Sequence, residues 1–157
     1  MQQPTPEIQS YWQRFLESLP ADAPRPDEYQ FWAFGHNADV AARLAALVRQ
    51  GIKTATSSLV WSYESDDEPY PQEGGYSIIT DWEGHPLCII QTTEVVMRPF
   101  NQVGADIAFE EGEGDRSLAY WRQVHWEFFS AECENIGRQP TEDMPVVNER
   151  FAMVFDQ

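Results

Sequence analysis

The segment GIKTATSSLVW, residues 51–61, combines a helix-stop signal with a strand signal. Gly51 follows an apolar stripe at helical spacing, and glycine is common just after the last turn of a helix. The residues after Gly51 are rich in β-branched and aromatic side chains, which favour an extended strand. The segment therefore predicts a helix-to-strand junction, and it places Lys53 directly at that junction.

Lys53 is the only lysine of the chain, and all other basic residues are arginines. An arginine stays charged in proteins, whereas a lysine ammonium is a compact donor that loses its proton more readily when it is desolvated. Lys53 can therefore serve as a base, a nucleophile or a point charge. The alternative interpretation is a solvated surface lysine with no chemical role.

Two helices are predicted upstream of this junction. Thr5 has the position of an N-cap for the first helix, and Asn37 has the same position for the second, which ends at Gly51. A proline-rich stretch between the two helices predicts a linker. We therefore divide the chain into an N-terminal helix with its linker, residues 1–26, and a main domain, residues 27–157.

Downstream of the junction, an acidic stretch at 64–75 is broken by proline and glycine and is predicted to be an exposed loop. The predicted strands are 53–61, 76–80, 86–97 and 149–155, and the predicted helices in this part are 103–110 and 117–133. This order of elements is α+β. It predicts a small mixed β-barrel, partly closed and decorated by helices.

Composition narrows the range of partners. The 157 residues are 42% hydrophobic, which is enough for a proper core, and the net charge is −16. Such a charge repels phosphate backbones, so we predict a small nucleoside-like ligand and, at most, a local RNA contact, but no binding of long nucleic acid. Two cysteines without CxxC spacing suit a reducing compartment. Neither a signal peptide nor a membrane span is evident, so we predict a cytoplasmic protein with no membrane partner.

Several segments together resemble one family. GIKTATSS resembles the GxKxxTxR signature of the ASCH family, whose fold is a PUA-like β-barrel. A strand followed by PF, the segment FEEGEGDRSLAYWRQVHWEFF and the terminal ERFAMVF are similar to the longer branch of that family, which has an N-terminal helical extension. The resemblance covers residues 28–155 and implies an α+β fold of the PUA-like (ASCH) type.

The resemblance also implies a function and three site residues. Members of the family are proposed to bind RNA or modified nucleosides, and one branch resembles amidohydrolases that remove an acyl group from N4 of cytidine. Those enzymes use a lysine, a threonine and a glutamate, and the matching positions here are Lys53, Thr56 and Glu111. Ser58 stands where the signature has arginine, which weakens any contact with phosphate. No cofactor is implied.

The prediction is thus an amidohydrolase that acts on N4-acylated cytidine or a related small amide. Its alternative is a non-catalytic module that binds RNA or a nucleotide, and a protein-interaction adaptor with an acidic surface is a third hypothesis. Loss of an acyl group from a nucleoside would single out the enzyme. Tight, salt-sensitive binding to unmodified RNA would single out the binding module.

Amide hydrolysis needs a nucleophile, a proton carrier and a donor for the oxyanion. In one arrangement Thr56 attacks and neutral Lys53 takes its proton. In the other, Lys53 stays charged and stabilises the oxyanion while Glu111 activates a water. Residues three apart in a regular strand point to opposite faces, so Lys53 and Thr56 converge only if Lys53 lies in the turn. Thr54, on the same strand face as Thr56, is a rival for its role.

Further candidates rest on single residues. Within the acidic cluster 110–115, one glutamate turned towards Lys53 is the favoured interpretation. The cluster lacks EF-hand spacing and contains no histidine, so we predict no metal site. The three histidines have no partner at metal-ligand spacing, and the aromatic residues of 120–129 are predicted to lie in the core. The substrate-binding candidates are Thr54, Ser58, Trp61, Trp82 and Glu94.

Overall fold

The computed structural model of the protein describes residues 2–157 and contains one mixed sheet with helices around it. The helices are α1 (Pro6–Ser18), α2 (Ala38–Arg49), α3 (Val60–Asp66), α4 (Ala105–Glu111) and α5 (Leu118–Asn135), and the strands are β1 (Gln30–Trp32), β2 (Ala55–Leu59), β3 (Tyr76–Thr80), β4 (Pro86–Pro99) and β5 (Pro145–Phe155). The predicted α+β class is confirmed. None of these helices is both long and apolar enough to cross a membrane.

The five strands form a curled half-barrel in the order β1-β3-β4-β5-β2. β1 runs parallel to β3, and the other neighbouring strands are antiparallel. β5 therefore lies between β4 and β2, although it comes last in the chain. The mixed, partly closed sheet that the sequence predicted is confirmed.

The predicted helix ends are present. The Thr5 side chain accepts a hydrogen bond from the Ile8 amide at 3.2 Å, and the Asn37 side chain accepts one from the Val40 amide at 2.9 Å. Both are N-cap bonds, which satisfy backbone donors that have no partner inside the helix. Gly51 follows α2 with φ +77°, a left-handed conformation that glycine adopts without a Cβ penalty.

Two parts of the structure differ from the predicted elements. β2 ends at Leu59, and the chain turns at once into α3, where the sequence predicted a strand up to residue 61 and then a loop. The cause is tertiary packing, since Val60 is buried and the ring of Trp61 packs against the core between β2 and α5. The short edge strand β1 was not predicted, because three residues are too few to show a periodic pattern.

The N-terminal helix is part of the core. Ile8, Tyr11, Trp12 and Phe15 are buried on the sheet, and the Tyr11 ring lies 5.2 Å from the ring of Phe155 at the end of β5. A second cluster joins α2 to β3 and β4, and a third joins α4 and α5 to β2 and β5. Helices therefore cover the sheet on both sides.

The pairing of β2 with β5 separates two sets of polar residues. Thr56 pairs with Glu149, and Ser57 pairs with Asn148. Directly paired residues share one face of a sheet, and successive residues point to opposite faces. We call these the Thr56 face and the Ser57 face. The Ser57 face is the one that carries Leu59 and Val146, which pack against α4 and α5.

Candidate functional site

Lys53 lies in the turn between α2 and β2, where the sequence placed it. Its backbone amide donates to the Leu47 carbonyl at 3.1 Å, and the next amide, that of Thr54, donates to the Glu110 carbonyl at 2.8 Å. The junction is thereby fixed to the end of α2 on one side and to α4 on the other. The Lys53 side chain is only 1% exposed. A solvated surface lysine is therefore excluded.

The ammonium of Lys53 contacts two carboxylates. Its Nζ lies 3.3 Å from Glu111 Oε1 and 3.1 Å from Glu113 Oε2, and it donates to the Glu111 carbonyl at 3.4 Å. The ring of Phe34 lies below it, with 5.4 Å between Nζ and the ring centroid. Two carboxylates and an aromatic face all stabilise a positive charge. The predicted contact between Lys53 and a glutamate of the acidic cluster is present.

Glu111 ends α4 and is as deeply buried as Lys53. Its Oε2 accepts hydrogen bonds from Ser57 Oγ, at 2.6 Å, and from Trp121 Nε1. Its Oε1 lies 3.3 Å from His125 Nε2 as well as from Lys53 Nζ. Burial alone would raise the pKa of Glu111, but the charges of His125 and Lys53, together with the hydrogen bonds from His125 and Ser57, hold it well below its usual range. Glu111 is therefore ionised.

His125 completes the cluster as a second cation. Its Nδ1 lies 2.8 Å from the Trp121 carbonyl, and its Nε2 faces Glu111, so each ring nitrogen meets an atom that only accepts. This geometry suits the doubly protonated imidazolium. Burial lowers the pKa of His125, but the Glu111 charge and hydrogen bond outweigh burial and raise it. Lys53, Glu111, Glu113 and His125, which we call the ion network, thus hold two positive and two negative charges.

The loop after α4 carries Glu113 to Lys53. Gly112 has φ +74°, and a Cβ at this position would lie 2.8 Å from the Ile52 carbonyl oxygen, so only glycine fits here without a shift. Glu113 follows with 14% of its side chain exposed, and the His125 side chain is 11% exposed. These two residues form the solvent side of the ion network.

Ser57 links the ion network to β5. Asn148 Nδ2 donates to Ser57 Oγ at 2.8 Å, and Ser57 in turn donates its only hydrogen to Glu111. These two hydrogen bonds fix the orientation of the Asn148 amide. Asn148 Oδ1 is buried and has no hydrogen-bond partner among residues 2–157. It is thus an unused acceptor beside the network.

Thr56 lies on the other face of β2 from Ser57. Among residues 2–157, no side-chain hydrogen bond joins Thr56 to Lys53 or Glu111. Its cross-strand partner is Glu149. Thr54 Oγ1 donates to the Glu110 carbonyl at 3.4 Å and so supports the junction. The half-buried Ser58 shares the Thr56 face.

The remaining candidates do not contact the ion network. Trp61 packs against the core, and Arg138 lies over its ring at 4.4 Å. Trp82 is exposed in the turn before β4, and the Glu94 carboxylate binds Arg150 at 2.9 Å on the surface. The substrate-binding roles of these residues, like the catalytic role of Thr56, stay predictions.

Sequence reasoning missed two members of this site, Ser57 and His125. Ser57 lies between Thr56 and Ser58, at a variable position of the signature, and nothing in the sequence around it indicated a contact with the site. His125 did give one, because it lies on the buried stripe of α5 with Trp121, Phe129 and Cys133 at intervals of four. A histidine on an otherwise apolar stripe has to find a polar partner inside the protein.

Two groups of side chains have ligand atoms close enough for one metal ion. Glu111, Glu113 and His125 form the first group, and Asp81, Glu83 and His85 form the second, in the exposed turn between β3 and β4. The first group already surrounds the Lys53 ammonium, which repels a metal cation. Two surface cavities lie elsewhere, one of about 650 Å³ beside the ends of α1 and β5 and one of about 380 Å³ beside Trp126.

Comparison with known proteins agrees with this fold. A family model described as the ASCH domain matches residues 30–155. The crystal structure of an ASCH domain from Lactobacillus crispatus JV V101 is similar, with a TM-score of 0.91 and 35% identity over 99% of this chain and 98% of that one. A protein from Enterococcus faecalis V583 has a TM-score of 0.84 and 35% identity over 96% of this chain and 89% of its own. Among curated proteins, none matches this chain. The predicted family and its PUA-like fold are thereby confirmed.

Proposed function

The chain belongs to the ASCH domain family, and from that premise we propose that it is an amidohydrolase acting on a small uncharged amide, with N4-acylated cytidine as its first candidate substrate. One observation carries the proposal. The only lysine of the chain is fully buried, 3.3 Å from a fully buried glutamate, at the positions that the family resemblance marks as catalytic. Burying charges is costly, so a network of four of them calls for a functional reason.

The geometry favours Lys53 as an oxyanion donor. Its Nζ contacts two carboxylates, which stabilise an ammonium, and an ammonium cannot accept a proton from a nucleophile. A charged donor inside a low-dielectric site stabilises the oxyanion that develops on the amide oxygen. Of the two arrangements that the sequence allows, charged Lys53 with an activated water therefore has more support than attack by Thr56.

The proposed reaction is hydrolysis. The water oxygen bonds to the acyl carbon, the bond from that carbon to the amine nitrogen breaks, and a water proton ends on the leaving nitrogen. Glu111 is the candidate to take and return this proton, because its Oε1 becomes free to accept from the water once Lys53 turns to the substrate oxygen. His125 and Ser57 position its carboxylate.

Substrate entry requires a change at Glu113. Its carboxylate occupies one side of the Lys53 ammonium, and it is the more exposed of the two glutamates in the network. The amide oxygen of a substrate would take this place on Lys53, so Glu113 has to move away before the reaction. Glu113 then acts as a gate, whereas Glu111 stays in place through its bonds to Ser57 and Trp121.

The first test is Lys53→Arg, assayed by release of acetate from N4-acetylcytidine. Arginine keeps the positive charge but places its donors in a planar fork, so we expect a loss of about 10²–10³ in rate. Because Lys53 is buried, thermal unfolding must be measured beside activity. Glu111→Gln, which removes the proposed proton carrier, should also lose activity, and it is assayed at a temperature where it is still folded. Glu110→Gln is the matched control, since Glu110 is adjacent and pairs with Arg150 instead. Full activity in a folded Lys53→Arg protein would contradict the proposal.

A second candidate function is a non-catalytic module that binds RNA or a nucleotide. The observation in its favour is the closed ion network, in which Lys53 is already paired and needs no substrate. Against it stand the net charge of −16 and the serine at position 58. We expect only weak oligonucleotide binding at physiological salt. Submicromolar affinity for unmodified RNA with a steep salt dependence would favour this candidate over the enzyme.

A further inference from the structure

The Thr56 face contains a buried acid that the proposed hydrolysis does not use. Glu149 is 4% exposed, and its side chain accepts a hydrogen bond from Thr92, whose Oγ1 donates to Oε2 at 2.5 Å. Among residues 2–157, no lysine, arginine or histidine forms an ion pair with it. Its neighbour in sequence, Arg150, points to the Ser57 face and pairs with acids there. A buried carboxyl without a cation is costly when ionised.

The surroundings of Glu149 suit the neutral acid. An ionised carboxylate has acceptor positions for about four donors, and the protein supplies one hydroxyl. The neutral acid needs fewer donors, and it has one O–H to give. Because Thr92 donates to Oε2, the hydrogen of the neutral acid is placed on Oε1. In agreement with this geometry, burial raises the pKa of Glu149.

Two further hydroxyl side chains share the sheet face of this acid. Thr56 is the direct partner of Glu149 across the strands, and Ser58 lies two residues further along the same face of β2. Both are half-buried, so the cluster reaches solvent. On α3, Tyr63 brings a further hydroxyl close to Ser58. The cluster thus offers neutral donors and no full charge.

We propose that Glu149, Thr92, Thr56 and Ser58 form a recognition site for an uncharged ligand, whose carbonyl oxygen accepts the hydrogen of Glu149 Oε1. The site goes beyond the proposed hydrolysis, because it lies on the face away from Ser57 and requires no turnover at Lys53. A cationic ligand is the opposite chemistry, since it would need the ionised acid. The affinity for an uncharged ligand should fall as pH rises, whereas the affinity for a cationic ligand should increase.

Few other titratable groups face Glu149. Burial raises the pKa of Tyr63 to about 12, so its hydroxyl stays neutral while Glu149 titrates. Glu68, after α3, and Glu132, on α5, are the other acids whose charges act on Tyr63. Burial also raises the pKa of Glu132, which Ser62 hydrogen-bonds. Glu132 is therefore the acid that a pH experiment has to separate from Glu149.

The test uses N-methylacetamide, an uncharged amide, titrated into the isotope-labelled full chain and followed by NMR. We expect saturable shifts of the backbone amides of Thr56, Thr92 and Val95, with an affinity that falls at least about tenfold as the Glu149 carboxyl ionises. The ionisation itself is read from the carboxyl carbon shift of Glu149 in the same samples.

Three variants complete the test. Glu149→Gln keeps a donor and an acceptor, so it should bind the amide without the pH dependence. Glu149→Leu should lose binding, and Glu132→Gln should behave as the wild type. The proposal is overturned if Glu149 is ionised at neutral pH, if Glu149→Leu binds equally well, or if affinity rises with pH. Failure of the proposed hydrolysis has a separate readout, since N4-acetylcytidine would then stay intact while these shifts remained.

Discussion

Glu111 and Glu149 are nearly equally buried, at 1% and 4% exposure, yet they occupy opposite electrostatic environments. Glu111 faces two cations and accepts hydrogen bonds from a serine and a tryptophan. Glu149 has one threonine hydroxyl. The pKa of Glu111 is consequently held low, whereas that of Glu149 is raised. Depth alone therefore does not decide whether a buried carboxyl is ionised, because the number and charge of its partners outweigh it.

The largest effect is expected for Glu111→Gln. The substitution leaves two buried cations facing a neutral amide, and removing one partner of a buried ion pair costs about 3–5 kcal/mol. We expect the free energy of unfolding at neutral pH to fall by that amount, measured by urea denaturation. Glu110→Gln, next in sequence but half-buried, should change it far less. An equal loss in both variants would mean that the ion network stabilises the fold no more than the surface pair of Glu110 does.

A smaller effect is expected for His125→Phe, which keeps an aromatic ring stacked on Trp121 but removes the charge. A histidine whose pKa is raised in the folded state contributes stability that is fully present below its unfolded pKa, about 6.5, and is lost as pH rises through the folded value. We expect a loss of about 2 kcal/mol at acidic to neutral pH, shrinking in alkaline buffer. Urea denaturation over a pH series measures it. The exposed His36→Phe is the control, and a deficit that stayed constant with pH would contradict the role of the charge.

Glu149→Gln should raise the stability of the protein, whereas the two preceding substitutions lower it. An acid whose pKa is raised by folding costs the wild type stability as pH rises from the unfolded value, about 4.3, to the folded value. The variant avoids this cost, so we expect it to be more stable than the wild type by about 1 kcal/mol in neutral to alkaline buffer and equal to it near the unfolded pKa. Thermal unfolding at several pH values measures the difference. A destabilised variant at high pH would show that Glu149 is a paired anion after all.

The smallest effect is expected for Glu94→Gln, which sharpens the comparison with an exposed acid of the same sheet. Glu94 lies beside Arg150 with 45% of its side chain exposed. Surface ion pairs contribute about 0.2–1 kcal/mol, and Arg150 keeps Asp106 and Glu110 as partners. Chemical denaturation at low and high salt should give a difference near the lower limit. If Glu94→Gln lowered the free energy of unfolding as much as Glu111→Gln does, burial could not explain the large effect at Glu111.

Sequence reasoning predicted the half of the site that lies near one segment. The helix stop at Gly51 placed Lys53 in a turn. Strand alternation implied that the side chains of Lys53 and Thr56 would point to opposite faces of a regular strand. The family resemblance added Glu111. The partners of Glu111 were not predictable in the same way, because His125 reaches it from a third element and Ser57 does so only in the observed register of β2 with β5.

The acid at position 149 illustrates the same limit. The predicted strand 149–155 began at this residue, and an acid at a strand end usually faces solvent. β5 instead begins at Pro145 and runs between two other strands, which places Glu149 in the middle of the sheet. Burial of a strand residue depends on which strands flank it, and this is a property of topology rather than of local sequence.

The position of β5 also imposes an order in time. It is the last of the five strands to leave the ribosome, yet it separates β4 from β2 and supplies Phe155, against which α1 packs. Until residues 145–155 emerge, β2 and one side of β4 have no partner, and the apolar face of α1 lacks part of its cover. Unpaired strand edges are the surfaces through which nascent chains associate. A pause in translation shortly before Pro145 would therefore leave these strand edges open to aggregation.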